Sequence, residues 1–271
     1  VNEIDRYGIK ETAVVRDEID VLIEDLWLTG YTTLDAGLSC EQLDALSRDF
    51  DVAEVKYAEQ AATAGYDLST IGERDTIRVL PKYAPAFMTI AFNERLAQLL
   101  SRMLGDYYII NQVNGLINRA NKSRYGQASF HRDLPYQHFV SSRPLAINAL
   151  FALDDFTAEN GATKVIPASH HREAFPSDET VRRRQIQIAV PRGTFIILDC
   201  MLYHAGSTNH TDRNRRGVNH VFTIPMVRQQ LHLPSVLSDF AGLSADQKQI
   251  LGFGLDEHRS VDSWFGARAK K

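Results

Sequence analysis

Gly105-Asp-Tyr-Tyr-Ile-Ile-Asn-Gln-Val-Asn-Gly-Leu-Ile-Asn118 is where the character of the chain changes. Before it, apolar residues recur at helical spacing. From it onward, short runs rich in Ile, Val, Tyr, Phe and Thr are separated by clusters of Gly, Pro, Asn and Ser, the pattern of strands joined by turns. Strands are expected near 107–118, 125–131, 144–153, 162–166, 186–190, 194–204 and 217–227. That many strands without long helices between them imply an antiparallel sandwich or barrel, an architecture that places ligands in its mouth.

Upstream of Gly105 the chain reads as mostly helical. Val15, Ile19, Leu22, Ile23 and Leu26 fall on one helical face, and Gly30 is the natural C-cap. Gly30-Tyr-Thr-Thr-Leu34 is a short β-branched and aromatic stretch, and Ser39 with Gln42 forms a capping box for a helix through Leu43, Leu46 and Phe50. Asn93 caps a further helix through Leu96, Leu99, Leu100 and Met103 to Gly105. Beyond Ser235 a helix is expected around Ala245 to Leu251, and the Trp264-Phe265 segment is expected to fold back on the body. No repeat or low-complexity linker interrupts the chain. It reads as one domain over 1–271, with a helical part to about 105, a β core to about 230 and a helical tail.

Composition narrows the function. Against 30 basic residues stand 34 acidic ones, a formal net charge of -4, whereas a general nucleic-acid binder carries a basic excess. Two cysteines, Cys40 and Cys200, provide neither a disulfide framework nor a zinc pattern, which points to a reducing, cytoplasmic setting. The opening VNEIDRYGIKETAVV has no apolar core of a signal sequence. The longest apolar run, Leu145 to Leu153, is about half a membrane span and carries Asn148. Neither secretion nor membrane insertion is expected. Composition leaves open which of nine histidines are functional.

Phe130-His131-Arg132-Asp133 ends a strand-like stretch, and alternate residues of a strand share a face. His131 and Asp133 can therefore aim an imidazole and a carboxylate at one point. The spacing alone carries little weight, because His210 and Asp212 repeat it. A mononuclear iron site of the two-His, one-carboxylate kind needs a further His from another strand and leaves coordination positions open. Downstream of His131, His204 follows the run Gly193-Thr-Phe-Ile-Ile-Leu-Asp199, and the basic cluster Arg213, Arg215 and Arg216 comes next. Too few strands separate His210 from the remaining histidines, so that pair reads as loop decoration.

Together these residues resemble the phytanoyl-CoA dioxygenase family, which includes ectoine hydroxylases. The resemblance rests on His131-x-Asp133, Leu153-Asp-Asp-Phe-Thr-Ala-Glu-Asn-Gly161, Val165-Ile-Pro-Ala-Ser-His170, Tyr203-His204 and Arg215 eleven residues further on. It is strong from about Tyr107 to Val227. It implies a mainly β fold, the double-stranded β-helix or jelly roll, with N-terminal and flanking helices packed on one sheet. It also implies a dioxygenase in which His131, Asp133 and His204 bind Fe(II), the cosubstrate 2-oxoglutarate chelates the iron, and O2 drives hydroxylation with release of succinate and CO2. The distal carboxylate of 2-oxoglutarate needs a fixed cation. Arg215 is favoured, with Arg216 as the alternative on the opposite face of a strand. By analogy with ectoine hydroxylases, Asn118 is a further cosubstrate contact, with Asn114 as its alternative. The family often has a hydroxyl residue two positions after the distal His; here that place is Gly206, followed by Ser207. Related halogenases replace the carboxylate by Gly or Ala, so Asp133 favours hydroxylation.

Tyr136, Gln137, His138 and Phe139 follow the motif and are expected near the pocket entrance, where their mix of aromatic and hydrogen-bonding groups suits a small polar substrate. Arg132 and Arg143 are candidate contacts to an anionic substrate group. His170 and His171 are expected to shape a turn, His220 to be a hydrogen-bonded core residue, and Asp154 to Gly161 to be a turn with Gly161 at positive φ. Rival readings are a zinc hydrolase using the same ligands, which needs no Arg215, and a catalytically silent jelly-roll binding protein.

Overall fold

In the computed structural model residues 4–121, 126–134 and 138–269 are described. The helices are α1 (Glu18–Thr29), α2 (Cys40–Thr63), α3 (Met88–Ala91), α4 (Glu94–Leu104), α5 (Asp178–Arg184), α6 (Leu233–Val236), α7 (Ala245–Ile250) and α8 (Val261–Ala269). The strands are β1 (Tyr31–Asp35), β2 (Thr76–Ile77), β3 (Ile109–Asn118), β4 (Ala146–Ala152), β5 (Thr163–Val165), β6 (Ile186–Ile188), β7 (Thr194–Asp199), β8 (His204–Ala205) and β9 (Arg215–Thr223). One antiparallel sheet has the order β1-β7-β4-β9-β3-β2 and a smaller one the order β6-β5-β8. This is the expected jelly roll, although helix occupies more of the described chain than strand does. No helix among the described residues is long and apolar enough to cross a membrane.

The large sheet is buried on both faces, which is why its central strands are almost continuously apolar. Ile147, Ala149 and Phe151 of β4, Phe195 and Ile197 of β7, and Val218 and Phe222 of β9 join Leu26, Leu46, Phe50, Leu96 and Leu99 of the helices in one core. The alternate residues Leu150, Ala152, Ile196 and Leu198 face the other way and pack with Val165 and Ile188 of the small sheet. The helices therefore cover one face and leave the space between the sheets for the site.

Local chemistry sets the helix ends where the sequence placed them. Gly30, at φ 85°, closes α1 and donates its N–H to the Leu26 carbonyl. A Cβ there would lie 2.6 Å from His170 Nδ1 and 2.7 Å from Leu202 Cδ1, so only glycine fits. Ser39 and Gln42 form the expected capping box, and the Asn93 side chain accepts the Leu96 N–H while donating to the Ala36 carbonyl. The first and fourth helices are clamped together by Arg102, which bridges Asp17 at 2.6 Å and Asp20 at 2.8 Å.

The structure corrects four expectations. The second helix runs on to Thr63, because residues after Phe50 are good helix formers and Ala53 continues the buried stripe. The strand expected over 125–131 is, in its described part, a 3-10 turn at Gly126–Ala128 followed by a single bridge at His131. The strand expected over 194–204 stops at Asp199, whose side chain accepts the Met201 N–H and whose carbonyl accepts the Leu202 N–H, and resumes at His204. Trp264 and Phe265 do not fold back as buried residues; both are exposed on α8.

His220 is fully buried in the helix-covered core. Its Nδ1 lies 3.1 Å from the Ala149 carbonyl and so carries a proton. Burial pushes its titration down to about 4, so the folded chain keeps the ring neutral where the unfolded chain, near 6.5, already binds a proton. Stability is therefore full above about pH 7 and falls as pH drops toward 4, by at most about 3 kcal/mol from this residue. In urea titrations across pH 4–7, His220→Gln flattens that slope relative to the wild type; an unchanged slope would remove His220 as its source.

Candidate metal centre

Two backbone hydrogen bonds join the segments that carry the candidate ligands. His131 N–H donates to the His204 carbonyl at 2.9 Å, and His204 N–H donates to the His131 carbonyl at 3.1 Å. The rings consequently stand with centroids 4.4 Å apart. Asp133 N–H donates to the Cys200 carbonyl at 3.0 Å, which sets the next inward position. Asp133 Oδ1 then lies 3.5 Å from His204 Nε2 and 3.9 Å from His131 Nε2. Among the described residues these three form the one cluster of possible metal ligands, their ligand atoms all within 4.8 Å of one another. His210 and Asp212, with the same spacing, are exposed and outside it.

Each imidazole is oriented from behind. His131 Nδ1 is 2.9 Å from the Ser129 carbonyl and His204 Nδ1 is 3.0 Å from the Leu202 carbonyl. A carbonyl only accepts, so each Nδ1 holds a proton, and in the neutral ring each Nε2 then offers a lone pair. Burial pushes the Asp133 carboxyl up, but His204, His131 and a hydrogen bond from Asn148 together outweigh it and hold Asp133 at about 2. Burial and the neighbouring His204 lower His131. For His204, burial acts downward but the Asp133 carboxylate more than offsets it. An ionised carboxylate with two oriented imidazoles fits a divalent iron, and leaves coordination positions for other ligands.

The residues next to the ligands tie both segments to the turn after β5. Arg132 is 2% exposed, and its guanidinium donates to the carbonyls of Ser169, Arg172 and Glu173 while lying 4.0 Å over the Tyr203 ring. Tyr203 O–H donates to the same Glu173 carbonyl. Arg132 is thus a brace and not a substrate contact. His170, in that turn, is buried against Gly30, as a turn-shaping role requires.

A narrow cavity of about 50 Å³ opens at the triad and is lined also by Asn148, Thr163, Asn219 and Arg215, with Leu116 and Leu150 between them. On β9 the residues on this face are Arg215, Gly217, Asn219 and Val221. Arg215 is buried with its guanidinium 4.0 Å over the Phe156 ring. Arg216 points to the helix-covered face, where it pairs with Asp154 and Asp51 at 2.7 Å each and donates to Ser47 Oγ at 2.6 Å. Strand alternation thus places the two adjacent arginines in different environments.

Asn118 pairs in register with Arg215, but its Nδ2 donates to the Ser207 carbonyl at 2.8 Å and it does not line the cavity. Asn114 is further off, accepting the Val79 N–H at 3.2 Å. Gly206 lines the cavity, while Ser207 is buried beside Gly161. The Asp154–Gly161 stretch is the expected turn: Asn160 Oδ1 accepts the Thr157 N–H at 2.8 Å, and Gly161 has φ 83°. A Cβ on Gly161 would lie 2.3 Å from the Ser207 carbonyl oxygen, so this turn packs directly on the loop after His204. Tyr136 and Gln137 lie outside the described residues. Phe139 is half-buried against the apolar cluster of Leu134, Cys200, Met201 and Val221, away from the cavity lining. Sequence reasoning missed Asn148, Thr163, Asn219 and Gln127 as lining residues. For Asn148 the signal was present, a lone polar side chain in the longest apolar run.

A jelly roll that gathers a His-x-Asp pair and a distal His beside a buried arginine defines a class, the mononuclear iron oxygenases. Residues 28–217 match the phytanoyl-CoA dioxygenase (PhyH) family, and the chain belongs to that family; it is a dioxygenase of the Fe(II)/2-oxoglutarate type. An uncharacterised protein of Mycobacterium tuberculosis is 30% identical over 204 residues, 73% of this chain and 74% of its own length. The dioxygenase andF of Emericella variicolor is 30% identical over 146 residues, 49% of each chain. Among solved structures, EctD from S. alaskensis with 2-oxoglutarate and 5-hydroxyectoine superposes with a TM-score of 0.67 at 22% identity over 81% of each chain. The non-heme monooxygenase ThoJ gives a TM-score of 0.59 at 18% identity over 78% of this chain and 80% of its own. At these identities the structural likeness is one of fold.

Metal binding to the folded chain alone raises its stability by about 2.7 kcal/mol at a hundred times Kd, or about 5–10 °C in Tm for a chain of this size. Under anaerobic conditions Fe(II) or Co(II) produces that shift in the wild type and in Asp212→Ala, and none in Asp133→Ala. A shift retained by Asp133→Ala and lost in Asp212→Ala would exchange the two pairs.

Proposed function

We propose that the protein is an Fe(II)- and 2-oxoglutarate-dependent hydroxylase of a small polar molecule, using O2 and releasing succinate and CO2. Family membership and the oriented His131, Asp133 and His204 support the iron. The observation that carries the cosubstrate is Arg215, buried in the same cavity as the triad. When bound, iron and 2-oxoglutarate supply an oxidant able to replace a substrate C–H by C–OH.

The protein's part is to hold, orient and exclude water. His131, Asp133 and His204 would hold the metal, with Nε2, Oδ1 and Nε2 the atoms that face one another. Arg215 meets the distal carboxylate with a planar fork, and the Phe156 ring beneath it fixes the plane of that fork. Asn118 serves the site indirectly, by fixing the Ser207 carbonyl and with it the loop that follows His204. Leu116, Leu150 and Leu198 supply the apolar part of the walls. Tyr136 and Gln137, which follow Asp133, Leu134 and Pro135 in the chain, are the proposed substrate contacts, joined by Gln127 of the cavity lining.

A substrate screen coupled to succinate release tests the reading. Succinate appears only with Fe(II) and 2-oxoglutarate together; tight zinc binding without any 2-oxoglutarate binding would sink the proposal. In the same assay Arg215→Ala raises the 2-oxoglutarate requirement by about 10- to 100-fold, the worth of a charged hydrogen-bonded pair. Arg216→Ala leaves that requirement near the wild-type value and lowers Tm, because Asp154 and Asp51 lose their partner. The reverse result would move the cosubstrate anchor by one residue.

A further inference from the structure

We infer that Asn148 is a positioning residue for the metal, holding Asp133 so that it offers one oxygen and not two; this rests on the metal-binding reading of the triad. Asp133 Oδ1 faces both Nε2 atoms, and Asp133 Oδ2 accepts a hydrogen bond from Asn148 Nδ2 at 2.7 Å. An ionised carboxylate has no proton to give, so chemistry dictates which end of the amide meets it: the nitrogen. Asn148 Oδ1 consequently points elsewhere, and it is buried with no hydrogen-bond partner among the described residues.

An amide in this place is costly, since Asn148 is 3% exposed and its acceptor goes unused. Its neighbours on β4, Ala146, Ile147, Ala149, Leu150 and Phe151, are all apolar, and an apolar residue would suit the strand better. What the amide provides is a fixed donor. β4 lies between β7 and β9, with Asn148 opposite Leu198 on one side and Val221 on the other, so its backbone has nowhere to shift. The side chain reaches Asp133 from the large-sheet wall of the cavity, which it shares with Arg215 and which faces Thr163 on the small sheet.

Without that donor the Asp133 carboxylate loses its amide partner and keeps only the weak Cys200 thiol as a donor besides the ligand set. The carboxylate can then turn to chelate through both oxygens and occupy a position that the cosubstrate needs. Asn148 prevents this turn.

The test uses the full chain, stripped of metal and titrated anaerobically with Co(II), whose visible spectrum reports coordination. Asn148→Leu keeps the volume and removes the donor; Asn148→Ser is the second variant, read in the same way if the first fails to fold. Thr223→Val is the control, because Thr223 is another buried side chain with an unpartnered polar atom on the same sheet, outside the cavity. In a folded Asn148 variant, Co(II) affinity falls by about 10- to 100-fold and the visible bands change, while Thr223→Val keeps wild-type affinity and spectrum. A folded Asn148 variant with wild-type affinity and spectrum would overturn the inference, as would an equal loss in Thr223→Val. Failure of the wild type to bind Co(II) at all would instead overturn the reading of the triad, on which this role depends.

Discussion

The reciprocal backbone hydrogen bonds between His131 and His204 are the constraint on which the rest of the site depends. They bring together two candidate ligands from segments that no short turn connects, and they do so with backbone groups, whose geometry side-chain rotamers cannot loosen. Once that pair is set, the bond from Asp133 N–H to the Cys200 carbonyl places Asp133 on the face of His131. Arg132 and Tyr203, facing the other way, clamp the two segments to the turn at Ser169–Glu173. Freeing Arg132 from that turn would leave a buried guanidinium and several carbonyls without partners, a loss of several kcal/mol. The geometry of the triad is thus maintained from behind by groups that do not line the cavity.

The same alternation sorts the chemistry of the large sheet. One face carries His220, Val218 and Phe222 into the helix-covered core, and the other carries Arg215, Asn219 and Asn148 into the cavity. Two adjacent arginines with the same intrinsic chemistry acquire different tasks. Arg216 is held by Asp154, Asp51 and Ser47 and joins the second helix to the turn after β4, whereas Arg215 lies on an aromatic ring between the sheets. Burial has opposite consequences on the two faces. It keeps His220 neutral where nothing charged is near, while at Asp133 the paired imidazoles overcome it and the carboxylate stays ionised.

Close packing around glycines links the framework to the site. At Gly30 the end of the first helix meets His170 and Leu202, and at Gly161 the turn after β4 meets the Ser207 carbonyl. Both contacts press on the segment that bears His204. Because interiors transmit strain instead of absorbing it, these turns help determine where His204 stands.

Much of this was legible in the sequence, because short-range chemistry decides it. The cap at Gly30, the capping box at Ser39, the Asn93 cap and the strands around Ala146–Ala152 and Arg215–Thr223 follow from local spacing and from residue types acting within a few positions. The pairing of His131-x-Asp133 with His204, in preference to the identical spacing at His210 and Asp212, was legible from the order of motifs along the chain. Tertiary structure decided what depends on partners far away in sequence: Asn118 bracing Ser207, Arg132 filling a nest of carbonyls, the strand after Gly193 breaking at Asp199, and Asn148 meeting Asp133. A sequence shows that Asn148 is polar in an apolar run, but only the packed sheet shows which group it bonds. The direction of a buried side chain is set by neighbours from other strands, and the local sequence does not contain them.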